Sequence, residues 1–192
     1  MTEIDATTET DTKLSCTTMA SPLGVLTLVA SATGLRAVLW PSDDPARVPL
    51  GKTIEMTDHP VLAAAVDQLG EYFDGDLQYF DLPLDPVGTD FQQSAWTALR
   101  SIPYGETVSY GEQAEGMGDK RKARAVGAAN GRNPISIIVP CHRVVGSNGS
   151  LTGFAGGLDS KQWLLEHESK TAGDTLFSSH PRPPKTEIIP TQ

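Results

Sequence analysis

The feature that most constrains this chain's fold is the change of pattern across Asp85-Pro86-Val87-Gly88. Before it, β-branched runs at 25–30 and 35–40 are separated by Pro22-Leu23-Gly24 and Ala32-Thr33-Gly34, the pattern of an antiparallel meander. Residues 41–57 read as loop. Pro60 can open a helix at its first position, and Val61, Leu62, Ala65, Val66, Leu69, Tyr72 and Phe73 keep helical spacing up to Gly75. Residues 77–84 read as one more strand or edge, limited by Pro83.

After the linker the periodicity becomes that of short helices. Thr89 can cap a helix carrying Phe91, Ala95, Trp96 and Leu99, which closes before Ile102-Pro103-Tyr104-Gly105. Ser109-Tyr110-Gly111-Glu112 fits a capping box and starts a second, short helix. Gly116-Met117-Gly118 makes a turn, and Asp119 can cap a third helix through Arg124, Val126 and Ala129 to Asn130-Gly131. Two helices joined by a glycine turn are a helix-turn-helix candidate, and the Asn-Gly turn at 147–150 is a hairpin turn that could form a wing beside it. A last helix is expected over 158–168, with Leu158, Gln162 and Leu165 on one side and Trp163 packing close by. The expected class is α/β of the α+β kind: a tail at 1–12, a sheet-and-helix domain at 13–87, a winged helix-turn-helix domain at 88–170, and a mobile tail at 171–192.

At 192 residues and 39% hydrophobic content the chain can bury a core without covalent staples. Its two cysteines, Cys16 and Cys141, are far apart, so neither a disulfide framework nor a cysteine-rich metal site is suggested, and a reducing compartment is favoured. No membrane span and no signal peptide is recognisable, which makes a cytoplasmic protein the expectation. The net charge of -9 is unevenly spread. Residues 88–170 hold nine of the fifteen Lys/Arg but eight of the twenty-four Asp/Glu, and Lys120, Arg121, Lys122 and Arg124 fall within five positions. Such a cluster either meets phosphates or forms a solvated helix face.

The apolar run Ile135-Ser136-Ile137-Ile138-Val139-Pro140 delivers Cys141 with His142 and Arg143 directly behind it. Cationic neighbours lower a thiol pKa and make a nucleophile; the alternative is a small buried core group. His142 and Glu168 read equally as polar neighbours, Tyr110 as a packing residue, Asn133 as a turn former before Pro134, and Arg124 as a phosphate contact. Ala123 and Gly127 flank Arg124 and would let backbone come close to DNA.

These blocks resemble the O6-alkylguanine-DNA alkyltransferase family. The resemblance rests on Pro140-Cys141-His142-Arg143-Val144, Gly88-Thr89-Asp90-Phe91-Gln92, Ile102-Pro103-Tyr104-Gly105-Glu106-Thr107, Ser109-Tyr110-Gly111-Glu112 and Arg124-Ala125-Val126-Gly127. Asn130-Gly131-Arg132-Asn133-Pro134-Ile135 and Gly156-Gly157-Leu158, with Lys161, Leu164, Leu165 and Glu168, complete it. The first half resembles the family's ribonuclease-H-like domain by type only.

The resemblance implies a protein that binds double-stranded DNA containing O6-alkylguanine, with O4-alkylthymine left open, and moves the alkyl group irreversibly to Cys141. It implies no cofactor or metal, and a monomer. By the same analogy His142 takes the thiol proton through a water, Glu168 orients that imidazole, Tyr110 donates toward the leaving base, and Asn133 bridges the segments around the thiol. Arg124 fills the space of the flipped base. Backbone at Cys141, Val144 and Ala155 faces the guanine, and Lys161 belongs to the DNA-contacting set. Phe154 stands where the family usually has tyrosine, Gln113 where it commonly has leucine, and Lys120-Arg121-Lys122 replaces a proline-containing turn. A non-catalytic lesion-binding relative and a plain winged-helix regulator are the competing readings; the first lacks an acceptor thiol, and the second leaves His142, Tyr110 and Glu168 without a purpose.

Overall fold

The computed structural model describes residues 14–56 and 58–172. Strands β1 (Leu14–Ser21), β2 (Gly24–Ala30) and β3 (Leu35–Leu39) form the expected meander. A further strand, β4 (Thr53–Glu55), pairs parallel with β1 and gives the sheet order β3-β2-β1-β4. This strand lies inside the segment expected to be loop: its three residues are all exposed, so they carry no burial pattern to read. Helix α1 (Pro60–Asp74) has Pro60 in its first turn and ends on Gly75, whose φ of 88° is the left-handed cap that favours glycine. Leu62, Ala65, Leu69 and Tyr72 form its buried side.

Residues 77–84 differ from the expected strand. They are extended without a ladder, tied to the sheet only by the bridge Leu35–Leu84 and the bonds of Leu35 and Asp85 across it. Asp85 then accepts from Ser31, Thr33 and Arg36, so the connection is bound to the edge of β3.

In the second half, α2 (Asp90–Leu99) opens with a capping box between Thr89 and Gln92, and α3 (Tyr110–Gly116) with one between Ser109 and Glu112. Asp119 caps a 3-10 turn (Lys120–Lys122) instead of a helix, and α4 (Ala123–Gly131) follows it. Two small strands, β5 (Val108–Ser109) and β6 (Val144–Val145), pair in parallel. That pairing uses the strand a hairpin wing would need, so the Asn148-Gly149 turn is closed only by Gly146 with Ser150 and is not flanked by a hairpin. Between α2, α3 and α4, the buried Gln113 and Asn130 side chains exchange amide hydrogen bonds at 2.7 and 3.3 Å, and Gln113 also donates to the Ala95 carbonyl. A polar residue at the position expected to be leucine is therefore satisfied.

Helix α5 (Gly157–Ala172) buries Lys161, Leu164 and Glu168, a different side from the one expected, and Leu158 stays 48% exposed. It also runs past the point at which a tail was expected to begin, with Thr171 bonded to the Tyr104 hydroxyl. The remainder of both expected tails lies outside the described residues.

One core joins the two halves. Leu26, Leu28, Leu35, Val38, Trp40 and Leu69 pack in the same cluster as Trp96, Ile135, Cys141, Val144 and Leu164. Val38 N–H donates to the Pro134 carbonyl at 2.9 Å, and the Trp40 indole donates to Ser136 at 3.2 Å. Gly156 lies flat on the Trp40 ring, where a Cβ would come within 2.6 Å. The loops on both sides of Cys141 are therefore braced by the first half of the chain.

Candidate active site

Cys141 opens a 3-10 turn (Cys141–Arg143) that runs directly into β6. The apolar run before it is a coiled loop instead of a strand, and Ile137 in its middle takes a φ of 74° while remaining buried. A β-branched residue there costs on the order of 1–3 kcal/mol and is held only because the core on both sides determines it.

The thiol is 6% exposed. Asn133 reaches across the loop: its Nδ2 donates to the Val139 carbonyl at 2.8 Å and to Cys141 Sγ at 3.2 Å, while its Oδ1 accepts from Ile135 N–H at 3.0 Å. The Asn133 carbonyl in turn accepts from Arg47, whose guanidinium is paired with Asp43. Burial raises the Cys141 pKa; the Asn133 hydrogen bond and the positive charges of Lys161 and Arg47 oppose that rise without cancelling it. The expectation of a thiol lowered by its sequence neighbours is therefore corrected. Desolvation dominates, and Arg143 points away from the sulfur to Glu168.

Glu168 collects five donors. Its Oε1 accepts from His142 Nε2 at 2.8 Å, Tyr72 OH at 2.8 Å and Arg143 Nη2 at 3.0 Å, and its Oε2 from Arg143 Nε at 2.8 Å and Gly105 N at 3.1 Å. Burial alone would raise this carboxyl, but the hydrogen bonds and charges of His142 and Arg143 outweigh it and hold Glu168 well below the ordinary carboxylate range. An ionised carboxylate can only accept, so His142 carries its proton on Nε2 and leaves Nδ1 as the basic nitrogen. Nδ1 has no protein partner among the described residues. Burial lowers the His142 pKa, opposed by Glu168, so the resting imidazole is neutral and able to take a proton.

The β5–β6 pairing sets Val108 opposite Val144, which brings the start of α3 beside the thiol segment. Tyr110 there donates its hydroxyl to the Thr152 carbonyl at 3.2 Å and stacks near Gly127, whose missing Cβ would sit 3.6 Å from the ring. Phe154 meets the Trp40 and His142 rings edge-on at 5.4 and 6.3 Å, and Ala155 is half-buried beside it.

Lys161 differs from its expected place among DNA-contacting residues. It is fully buried, and its ammonium donates to the carbonyls of Val144 at 2.6 Å and Thr152 at 2.8 Å. It thus ties the strand after Cys141 to the loop carrying Phe154. Arg124 is exposed on α4 with the half-buried Ala123 and Gly127 beside it. Of its cationic neighbours, Lys120 pairs with Glu115 and Arg121 with Asp119.

Sequence reasoning missed Tyr72, Arg47 and the part played by Arg143. Arg143 stood in the reactive motif, but nothing in the chain's local pattern says that its guanidinium faces Glu168 instead of Cys141. Among the described residues no group of three or more His, Cys, Asp or Glu is placed to hold a metal ion, and no helix is long and apolar enough to cross a membrane.

A helix-turn-helix carrying an enclosed cysteine, with a neutral imidazole held by a carboxylate behind it, defines a nucleophile site built into a DNA-binding type of domain. Comparison with known proteins agrees. The family description "6-O-methylguanine DNA methyltransferase, ribonuclease-like domain" matches residues 14–86, and "6-O-methylguanine DNA methyltransferase, DNA binding domain" matches 90–170. The chain belongs to this family. It is 51% identical over 166 residues to a methylated-DNA--protein-cysteine methyltransferase of Mycolicibacterium paratuberculosis, covering 83% of this chain and 96% of that protein. It is 48% identical over 153 residues to one of Methanosarcina acetivorans, covering 77% and 94%. The crystal structure of Mycobacterium tuberculosis O6-methylguanine methyltransferase superposes with a TM-score of 0.74 at 48% identity, covering 85% of this chain and 99% of that one. The structure of M. tuberculosis OGT in complex with DNA gives 0.73 at 47%, covering 83% and 94%.

Proposed function

We propose that this protein repairs DNA by taking the alkyl group of O6-alkylguanine onto Cys141, once per molecule. The observation that carries this reading is the line Cys141, His142, Glu168, in which the imidazole is neutral, its Nε2 is spoken for by Glu168, and its Nδ1 is left for a proton. The sulfur forms a bond to the alkyl carbon as the bond from that carbon to O6 breaks, and the electron pair leaves on the purine. The thiol proton passes through a water to His142 Nδ1, and Tyr110 supplies a proton to the departing base. Because the buried thiol resists ionisation, deprotonation and attack belong to one coupled event instead of following from a standing thiolate.

Asn133 holds Sγ in line, and Lys161 and Arg47 supply positive charge as the sulfur turns anionic. Arg124, flanked by Ala123 and Gly127, fills the duplex where the base has left, and backbone at Val144 and Ala155, with the Phe154 ring, borders the purine. The partner is double-stranded DNA carrying the lesion. Residues 13–87 act as the brace, 88–170 as the reader and reactor, and the protein works as a monomer. A cytoplasmic, reducing setting suits a reaction that needs a free thiol, and both cysteines are free.

Incubation with a duplex oligonucleotide carrying O6-methylguanine, followed by intact mass and peptide mapping, tests the assignment. One methylene should be gained per chain, on Cys141 and not on Cys16. Methyl transfer by Cys141→Ala, or a gain on Cys16, would refute it.

A further inference from the structure

Tyr72 stands outside every motif that marks the site, on the last turn of α1 in the first half of the chain. It is fully buried, and its hydroxyl donates to Glu168 Oε1 at 2.8 Å. That same oxygen receives His142 Nε2 and Arg143 Nη2. The placement is heavily determined. The Tyr72 ring meets Phe73, Phe80, Tyr104 and His167 at centroid distances of 5.4 to 6.0 Å. Its carbonyl accepts from His167 Nε2 at 2.7 Å and from Gly75 N–H at 3.1 Å, and Gly75 packs so closely on Thr171 of α5 that a Cβ would come within 2.8 Å.

We propose that Tyr72 is a positioning residue for alkyl transfer: by sharing Glu168 Oε1 with His142, its hydroxyl sets the orientation and the proton affinity of the imidazole that receives the Cys141 proton. The inference rests on the reading of Cys141 and His142 above. A carboxylate oxygen offers limited lone-pair density, and three donors on one oxygen divide it. Each donor added to Oε1 leaves less negative charge to stabilise a cation on the imidazole, so Tyr72 keeps His142 from becoming too strong a base at rest. Burial and the Glu168 charge raise the Tyr72 pKa well above its ordinary value, so the phenol stays a donor throughout the working pH range.

The charged and titratable groups around His142 are Glu168 and Lys161 from α5, Cys141 and Arg143 from its own segment, Tyr72 from α1, and Tyr104 from the loop after α2. Among them Tyr72 alone brings an uncharged donor from the first half of the chain to the oxygen that His142 uses.

The test is the pH profile of single-turnover methyl transfer from a saturating O6-methylguanine duplex, from acid to neutral pH. Removing the hydroxyl in Tyr72→Phe concentrates charge on Oε1 and favours the imidazolium. The acid limb should then move to higher pH by roughly half a unit to one unit, given how strongly hydrogen bonds to a partner charge shift pKa values. Incorporating 3-fluorotyrosine at position 72 keeps the shape, strengthens the donor and should move the limb the other way, which covers the case in which Tyr72→Phe does not fold. Phe80→Leu, which loosens the ring cluster without touching the hydrogen bond, should lower stability and leave the limb in place. An acid limb unmoved by either change at Tyr72 overturns the inference and makes Tyr72 a core residue. Absence of methyl transfer to Cys141 in the unmodified protein is a different result and would strike the underlying reading instead.

Discussion

Asn133 Nδ2 and Cys141 Sγ lie 3.2 Å apart, and the same amide group also holds the Val139 carbonyl, so the loop that delivers the thiol is closed on itself by one side chain. Asn133→Ala removes a donor to the sulfur, strands the Val139 carbonyl and the Ile135 N–H, and frees a loop that contains the strained Ile137. The expected loss of stability is about 1–3 kcal/mol, the cost of leaving buried polar groups unpaired. Alkyl transfer should slow more than lesion binding weakens. Thermal unfolding together with rapid-quench transfer and duplex affinity measures both effects; loss of affinity alone would contradict it.

Lys161 is the second brace. Lys161→Met keeps the length of the side chain while leaving the Val144 and Thr152 carbonyls without their donor and removing a cation from the neighbourhood of Cys141. Transfer should slow at neutral pH and recover partly as the pH rises, because the thiol then loses its proton without help. Affinity for undamaged duplex should change little, since the ammonium is enclosed. A large drop in that affinity would restore Lys161 to the DNA-contacting set.

Arg124 is exposed on α4 and makes no ion pair among the described residues, in contrast to Lys120 and Arg121. Arg124→Ala should slow repair in duplex DNA by tenfold or more, on the order of 1.4 kcal/mol of lost stabilisation, while attack on the free base O6-methylguanine is unchanged. Equal losses on both substrates would show that Arg124 acts on the fold or the thiol and not on the opened duplex.

Acid should unfold the protein through the same residues that serve the reaction. Glu168 and His142 both have folded pKa values below their ordinary ones, the first through His142 and Arg143 against the effect of burial, the second through burial itself. Both bind fewer protons folded than unfolded, so their contribution to stability is present above the ordinary His and Glu values and is lost as the pH falls, first through about 6.5 and then through about 4.3. Glu168→Gln should flatten the lower part of that dependence. It should also destabilise the protein at neutral pH by about 3–5 kcal/mol, because the buried Arg143 charge is left without its partner. Urea unfolding across pH 3 to 8 measures both; an unchanged acid slope in Glu168→Gln would contradict the assignment.

Much of this protein is legible along the chain, where the determining interactions are local. The capping boxes at Thr89 and Ser109, the proline start and glycine stop of α1, and the turn chemistry of the meander depend on residues within a few positions of one another. The Cys141-His142 pair was legible for the same reason. Strand β4 was hidden because three exposed residues at a sheet edge gain their ladder from a partner about forty positions away. The wing was misread because β6 bonds to β5 and not to its own turn.

Helix α5 marks the boundary between the two kinds of information. By itself the sequence determined that residues after Gly157 form a helix, that Cys141 follows a buried loop, and that a basic helix stands nearby. Tertiary structure decided that the helix turns a lysine and a glutamate inward, where Val144, Thr152, Tyr72, His142, Arg143 and Gly105 meet them. Periodicity ranks positions by the apolar surface they can bury, whereas a charged side chain is buried only if partners from elsewhere replace its water. Those partners come from up to 96 positions away, and only the folded chain sets them around Glu168.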